Sequence, residues 1–119
     1  MQDYRKLKVW KPAHDLTVKV YRLTKKFPAD ERFGLTSQMR RCAVSIPANI
    51  AEGSGRGSRK DFVRFLRIAS GSSNELEYFF ILCMELGLIP DDDCQELRGD
   101  LADTRRMLAG LIHSIETNV

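Results

Sequence analysis

The sequence predicts an all-α protein, an antiparallel up-and-down four-helix bundle formed by a single domain over residues 1–119. Apolar residues recur at steps of three and four along four segments, as they do on one face of a helix. No stretch alternates apolar and polar residues in the way a half-buried strand does. The breaks between the four segments are short, which favours antiparallel neighbouring helices.

The first helix is predicted to begin around Pro12, whose missing amide proton suits a first turn, and to end before Pro28. Its apolar face consists of Ala13, Leu16, Val20, Leu23 and Phe27. The next segment, "ADERFG", is predicted to be a loop.

The second helix contains a proline, Pro47. Its apolar face comprises Leu35, Met39, Cys42, Ala43, Ile46 and Ile50, and Gly53 is the predicted cap. Proline inside a helix costs about 3 kcal/mol, because its ring clashes with the carbonyl four residues earlier, here that of Ala43. A new helix starting at Pro47 would make Ile46 the N-cap, a position that isoleucine fills poorly. We therefore predict one continuous helix, kinked at Pro47, with an Ala43 carbonyl free to accept another proton.

The third helix is predicted to open at Ser58 as N-cap, with Asp61 in its first turn. Its buried face comprises Phe62, Phe65, Leu66, Ala69, Leu76, Phe79, Cys83 and Leu86. Gly87 as cap and Pro90 separate it from a fourth helix that starts with three aspartates. The fourth helix buries Leu97, Leu101, Thr104, Leu108, Leu111 and Ile115.

Two features of the third helix bear on packing. Residues 78–84, "YFFILCM", are apolar on every side, which favours an oligomer; a central helix within one bundle is the alternative. Gly71 costs about 1 kcal/mol relative to alanine in mid-helix. We expect a close approach of its segment to the small residues of the second helix to offset this cost, namely Ala43, Ala48 and Ala51.

The charges are unevenly distributed along the chain. Residues 1–67 carry 16 basic and 6 acidic side chains, whereas residues 68–119 carry 3 basic and 10 acidic ones. The basic half could meet phosphates or the acidic half of another protomer. The charged N-terminus lacks the apolar run of a signal peptide, and the three cysteines are odd in number and widely spaced. We therefore expect a cytoplasmic protein with reduced thiols and no membrane association.

No group of residues has the spacing of a catalytic or metal site. His14 and His113 lie far apart, and Cys83, Cys94 and His113 would meet only by a tertiary coincidence. The glycine run "EGSGRGS" lacks the lysine of a phosphate-binding loop and follows a helix, so it is interpreted as a turn, with a generic anion site as the weaker alternative. We expect a protein that is not an enzyme and uses no metal, cofactor or small-molecule substrate.

The basic side chains are the candidate nucleic-acid-binding residues. Arginine's planar fork suits phosphate oxygens. The candidates are Lys19, Arg22, Lys26, Arg40, Arg41, Arg56, Arg59, Lys60, Arg64 and Arg67. Because the core uses most aromatic side chains, only Tyr4, Trp10 and Tyr21 remain for base stacking. Any binding should therefore be made mainly to the phosphate backbone of the nucleic acid, depend on its shape and be sensitive to salt. Alternatively, the basic residues pair head to tail with another protomer's acidic stripe, which would close a ring; the stripe consists of Asp93, Glu96, Asp100 and Asp103.

Four segments resemble a known family. "YRKLKVW" (4–10), "FGLTSQMRR" (33–41), "SIPANIAEG" (45–53) and "GRGSRKDFVRFL" (55–66) are similar to the four-helix-bundle proteins encoded in intervening sequences of bacterial 23S ribosomal RNA genes. The resemblance runs from Tyr4 to Leu88 and continues loosely into the last helix. That family is similar in fold to the accessory proteins of diversity-generating retroelements, which form five-membered basic barrels and bind nucleic acid. The resemblance thus implies a homopentamer and suggests nucleic-acid binding.

Together these observations predict a ring-shaped oligomer that presents a basic surface to structured RNA, rRNA-related or not, to DNA, or to a nucleoprotein partner. The alternative is a structural scaffold or protein-interaction module whose charged stripes serve assembly only.

Overall fold

The protein is described here by a computed structural model covering residues 3–118, and four α-helices account for most of that range. They are α1 (Trp10–Thr24), α2 (Ser37–Ser54), α3 (Arg59–Glu85) and α4 (Asp91–Thr117). A 3₁₀ turn, Tyr4–Lys6, precedes α1. Helix α2 packs against α1 and α3, and α4 packs against α3 and α1. The predicted all-α bundle is confirmed, and residues 3–118 contain no strand.

The apolar faces of the four helices meet in one core. Its largest fully buried side chains are Phe80, Leu16, Met39, Ile46, Ile50, Leu66, Leu76, Leu101 and Leu108. The prediction that Leu86 is buried is wrong: it is 57% exposed, because α3 ends at Glu85. On α4, Ile112 is buried, whereas Leu111 is only half-buried. A strict 3.5-residue repeat drifts by about 20° per heptad on a straight helix, so the buried position moves on by one residue.

Helix α2 runs continuously through Pro47, as predicted. The predicted role of Gly53 is wrong, because this residue lies inside the last turn of α2 and is not its cap. A β-carbon at Gly53 would lie 2.8 Å from the Cβ of Phe65, so the glycine permits close contact between α2 and α3. In the connection from α2 to α3 the backbone is left-handed at Gly57, where φ is 82°.

The caps of α3 form as the sequence predicts. The Ser58 hydroxyl accepts a hydrogen bond from the Asp61 amide at 3.1 Å. At the other end, Gly87 has a φ of 75°. The Leu88 amide donates to the Cys83 carbonyl at 2.8 Å, and the Gly87 amide donates to the Met84 carbonyl at 3.0 Å. These two bonds form a Schellman motif, which satisfies carbonyls that the helix end leaves without partners.

The segment predicted to be a loop between α1 and α2 contains two short helical turns instead. A 3₁₀ turn spans Ala29–Glu31, and a π-helical turn spans Arg32–Thr36. At Gly34 the backbone leaves the helical region, with φ −103° and ψ −105°. This change of direction lies directly after Phe33, whose side chain is 89% exposed.

The apolar run of α3 is largely covered within a single chain. Phe80 and Cys83 are fully buried, whereas Tyr78 is 58% exposed. The close approach expected at Gly71 is not formed, since a methyl group there would meet no atom within 4 Å. The neighbouring Ser72 makes the contact with α2, and its hydroxyl lies 2.8 Å from that of Ser45. Within residues 3–118, no helix is long and apolar enough to cross a membrane.

Candidate nucleic-acid interface

The ten basic candidates lie in three places. Lys19 and Arg22 on α1, with Lys26 in the turn after it, form the α1 stripe, and Arg40 and Arg41 lie in the first turns of α2. The remaining five lie in the α2–α3 connection and the first turns of α3 and are called the end cluster: Arg56, Arg59, Lys60, Arg64 and Arg67. Because α1 is antiparallel to α2, its last turn lies beside the first turns of α2, away from the end cluster.

Most of the end cluster is bound to other groups of the same chain. Arg56 pairs with Glu52 at 3.1 Å, Arg64 with Asp61 at 3.6 Å and Arg67 with Glu116 at 2.9 Å. Arg59 donates to the backbone carbonyl of Asn118. The guanidinium groups of Arg56 and Arg64 also lie 4.8 and 4.5 Å from the ring centre of Phe65, within the range of cation–π attraction. Lys60 makes no ion pair within residues 3–118.

The α1 stripe faces the acidic stripe of α4 in the same chain. Lys19 lies 2.7 Å from Asp100 and 3.4 Å from Glu96, and its hydrogen bond with Asp100 raises the pKa of the Lys19 ammonium above its ordinary value. Arg22 and Lys26 line a cleft of about 250 Å³ between α1 and α4 whose other lining residues are Lys19, Leu23, Asp93, Glu96 and Leu97. The sequence alone makes this acidic stripe an alternative partner for the basic residues of a second protomer. Two of its carboxylates instead pair with Lys19 of the same chain.

Arg40 is held in place at the start of α2. Its Nε donates to the Thr24 hydroxyl at 2.8 Å, and its Nη2 donates to the Tyr21 carbonyl at 3.4 Å. The guanidinium also lies 4.7 Å from the ring centre of Tyr21. Arg41, the next residue, is exposed. Neither arginine has a carboxylate within ion-pair distance in the part of the chain that the structure describes.

These arginines border a cleft of about 310 Å³, here called the corner cleft, which is lined by Tyr21, Arg32, Phe33, Thr36, Ser37, Arg40 and Arg41. Arg32 lies over Phe33, with its guanidinium 5.6 Å from the ring centre. No carboxylate lines the corner cleft, whereas three other clefts of the described chain each contain at least one. The cleft therefore combines positive charge, hydroxyl groups and an exposed aromatic ring.

Sequence reasoning missed four of these seven residues: Arg32, Phe33, Thr36 and Ser37. One signal was available for Phe33, a large aromatic residue outside every apolar stripe and directly before a glycine. Of the aromatics expected to stack on bases, Tyr4 packs edge-on against Trp10 at 5.1 Å, and Trp10 stacks on His14 at 4.9 Å. Their rings already have partners within the protein.

The cysteines are free and buried. Burial raises the pKa of Cys42 to about 12 and that of Cys83 to about 11. A thiol with such a pKa is protonated at neutral pH, and the thiol is a far weaker nucleophile than the thiolate. Within residues 3–118, no three His, Cys, Asp or Glu side chains are grouped closely enough to hold a metal ion.

Comparison with known proteins agrees with the bundle. The profile of a family described as "23S rRNA-intervening sequence protein" matches residues 5–110. A crystal structure from Bacteroides thetaiotaomicron VPI-5482, a protein of unknown function from the S23 ribosomal protein family, is 27% identical and superimposes with a TM-score of 0.82. The alignment covers 88% of this chain and 95% of that one. No curated protein matches the sequence.

Proposed function

Because the chain belongs to the 23S rRNA-intervening sequence protein family, we propose that it is a non-enzymatic cytoplasmic protein that assembles from several copies and binds structured RNA. The RNA is bound alone or within a nucleoprotein. Basic side chains make the contacts to phosphates. They lie at the end of the bundle where α1 ends and α2 begins, here called the α1–α2 end. Double-stranded RNA is recognised mainly through its shape and its phosphates, which requires positive charge and no base readout.

One observation carries this proposal: several basic side chains at the α1–α2 end have no counter-charge in ion-pair range. Arg32, Arg40 and Arg41 surround the corner cleft, which contains no carboxylate. Arg22 near the end of α1 and Lys26 in the turn after it form no ion pair within residues 3–118, although Asp93 and Glu96 line the same cleft. Unpaired arginines at a surface are well suited to bidentate contacts with phosphate oxygens.

The assembly we propose is a ring, a homopentamer by family resemblance. Exposed apolar groups on α2 and α3 support a subunit contact. Val44 and Ile68 are exposed. Val44 directly precedes Ser45, and Ile68 lies one helical turn before Ser72, the two residues whose hydroxyls are in contact. The open space at Gly71 lets another backbone approach α3 closely at the same level.

Two variants test the proposal. The α1–α2 variant carries Arg22→Gln, Lys26→Gln and Arg41→Gln; it leaves Arg40 intact, because that side chain holds α1 to α2. The end variant carries glutamine at all five positions of the end cluster. Affinity for a labelled RNA hairpin is measured by fluorescence anisotropy, and the oligomeric state by light scattering.

We expect the α1–α2 variant to keep its oligomeric state and to bind RNA at least about tenfold more weakly, with the salt dependence reduced by about one unit per lost phosphate contact. The end variant should lose less RNA affinity, since most of the side chains that it replaces are already paired within the chain. Unchanged RNA affinity in the α1–α2 variant, together with dissociation of the end variant into monomers, would instead favour the scaffold alternative.

A further inference from the structure

We propose that the corner cleft binds one unpaired nucleotide of the RNA, with the base stacked on Phe33 and its phosphate bound by Arg41 and Arg32. The inference rests on the proposed function and adds the feature of the RNA that is recognised. The RNA would thus contain a bulged or looped-out base next to a paired segment.

Phe33 is the first observation that supports this site. Its side chain is 89% exposed. Burying a phenylalanine stabilises a fold by about 1.5–3 kcal/mol, and Phe33 contributes little of this to the bundle. Arg32 lies over one face of this exposed ring, and the other face is a suitable platform for a base, because every base has a π face.

The turn that carries Phe33 is anchored on both sides. Before it, the Glu31 amide donates to the Pro28 carbonyl at 3.0 Å. After it, Thr36 is buried and Leu35 is half-buried against the core. The ring is therefore presented by an ordered segment, and a ligand stacking on it need not order a loop at the cost of affinity.

The charge around the ring selects an anion. Arg32, Arg40 and Arg41 line the cleft, and none of them forms an ion pair within residues 3–118. An oxygen of the neighbouring Glu31 carboxylate would lie 3.3 Å from a β-carbon at Gly34, and Glu31 does not line the cleft. Since Arg40 is held by Thr24 and Tyr21, Arg32 and Arg41 are the arginines that remain for a phosphate.

Size and polarity agree with a single nucleotide. The cleft volume of about 310 Å³ lies at the lower end of the range of about 300–1,000 Å³ for ligand sites. The hydroxyl side chains of Thr36 and Ser37 line it and offer both donors and acceptors to a base edge or a 2′-hydroxyl. A second protein copy is a poorer occupant of the cleft, because it would bury three guanidinium groups of this chain and the cleft itself supplies no carboxylate to pair with them.

The test uses the full-length protein and two RNA hairpins of the same stem, one perfectly paired and one with a single bulged adenosine. The variants are Phe33→Ala, Phe33→Trp and, as a matched control, Tyr78→Ala. Tyr78 is a suitable control because it is also exposed, at 58%, but lies on α3 outside the cleft. Affinities are measured by anisotropy, and the oligomeric state of each variant by light scattering.

The wild-type protein and the Tyr78→Ala control should bind the bulged hairpin about tenfold more tightly than the paired one, as expected for one stacked base. Phe33→Ala should lose this preference and keep its affinity for the paired hairpin, whereas Phe33→Trp should retain the preference.

Four results would overturn the inference. Equal binding of both hairpins by the wild type would show that the cleft does not bind an unpaired nucleotide. A bulge preference that survives Phe33→Ala would show the same. Neither result would contradict the proposed function. A change of oligomeric state in Phe33→Ala would identify the ring as a subunit contact. Binding of neither hairpin by the wild type would reject the proposed function, and the inference with it.

Discussion

The hydroxyl of Thr17 on α1 lies 3.1 Å from the carbonyl oxygen of Ala43 on α2. That carbonyl is the one that Pro47 leaves without its helical amide donor, since Pro47 follows Ala43 by four residues. The same hydroxyl is 2.9 Å from the Ala13 carbonyl of its own helix. A threonine on one helix thus compensates for a proline in the next, which allows α2 to continue through residue 47.

Replacing Thr17 with valine should therefore destabilise the protein by about 1–3 kcal/mol, the cost of leaving a buried carbonyl unsatisfied. The cost should be smaller in a Pro47→Ala background, because an alanine amide at position 47 can bond the Ala43 carbonyl itself. Urea denaturation of the two single variants and the double variant, followed by circular dichroism, measures this coupling. Equal costs of Thr17→Val in both backgrounds would show that the two residues act independently.

Two glycines inside helices should respond to alanine in opposite directions. Gly53→Ala should destabilise the protein by about 1–3 kcal/mol, because the new methyl group would lie 2.8 Å from the Cβ of Phe65. Gly99→Ala is the matched control on α4, where a methyl group meets no atom within 4 Å. It should stabilise the helix by about 0.5–1 kcal/mol. Thermal unfolding distinguishes them, and a neutral Gly53→Ala would contradict the close contact.

The buried thiols predict a loss of stability at high pH. Burial raises the pKa of Cys42 to about 12 and that of Cys83 to about 11, above the ordinary value of 9.0. Below pH 9 the thiols are protonated in both states, and their contribution to stability is complete. As the pH rises further, the unfolded chain ionises first, so the free energy of unfolding falls by about 1.4 kcal/mol per pH unit for each thiol, until the folded thiols also ionise.

Cys42→Ser tests this dependence, because a serine hydroxyl can keep the hydrogen bond to the Ser72 carbonyl and does not titrate in this range. Denaturation measured from pH 8.5 to about 10.5 should show a shallower fall for the variant than for the wild type. The same slope for both proteins would mean that the Cys42 thiol is not protected by burial.

The pairing of Lys19 with Asp100 predicts that one acidic residue restrains RNA binding. Asp100→Asn removes the closer of the two carboxylates that hold Lys19, which should let Lys19 bind a phosphate and steepen the salt dependence of RNA binding by about one unit. Asp103→Asn changes the net charge equally but removes a partner of Arg106 on α4, so it is the matched control. Stability should change by less than about 1 kcal/mol in either variant, as is usual for exposed pairs. Identical salt dependences for the two variants would contradict a specific release of Lys19.

The helices, most of the core and two of the caps could be predicted from the sequence because they depend on local spacing and local chemistry. Even the free carbonyl at Ala43 follows from the position of Pro47, although its donor, Thr17, does not. Which charges remain unpaired depends on how the helices face one another. The contacts of Lys19 with α4 and of Arg67 with Glu116 join residues far apart in the chain, which no local pattern encodes.

The corner cleft, too, could be predicted only in part from the sequence. Its arginines at positions 40 and 41 were recognised from composition, but Phe33 lies in a segment predicted to be a loop, and its neighbours come from α1 and α2. The backbone change at Gly34 that precedes α2 has no periodic signature. Sequence reasoning identified the type of residue that could bind phosphate but not the place where such residues are left without counter-charges.

The central claim, that basic side chains of this bundle bind RNA phosphates, is tested most directly by anisotropy of the assembled protein with a labelled RNA hairpin and with duplex DNA across a range of salt concentrations. We predict that the logarithm of the affinity falls linearly and steeply with the logarithm of salt concentration, and that RNA is bound more tightly than DNA. No binding of either nucleic acid at low salt would contradict the claim and would leave the basic residues to assembly or to a protein partner.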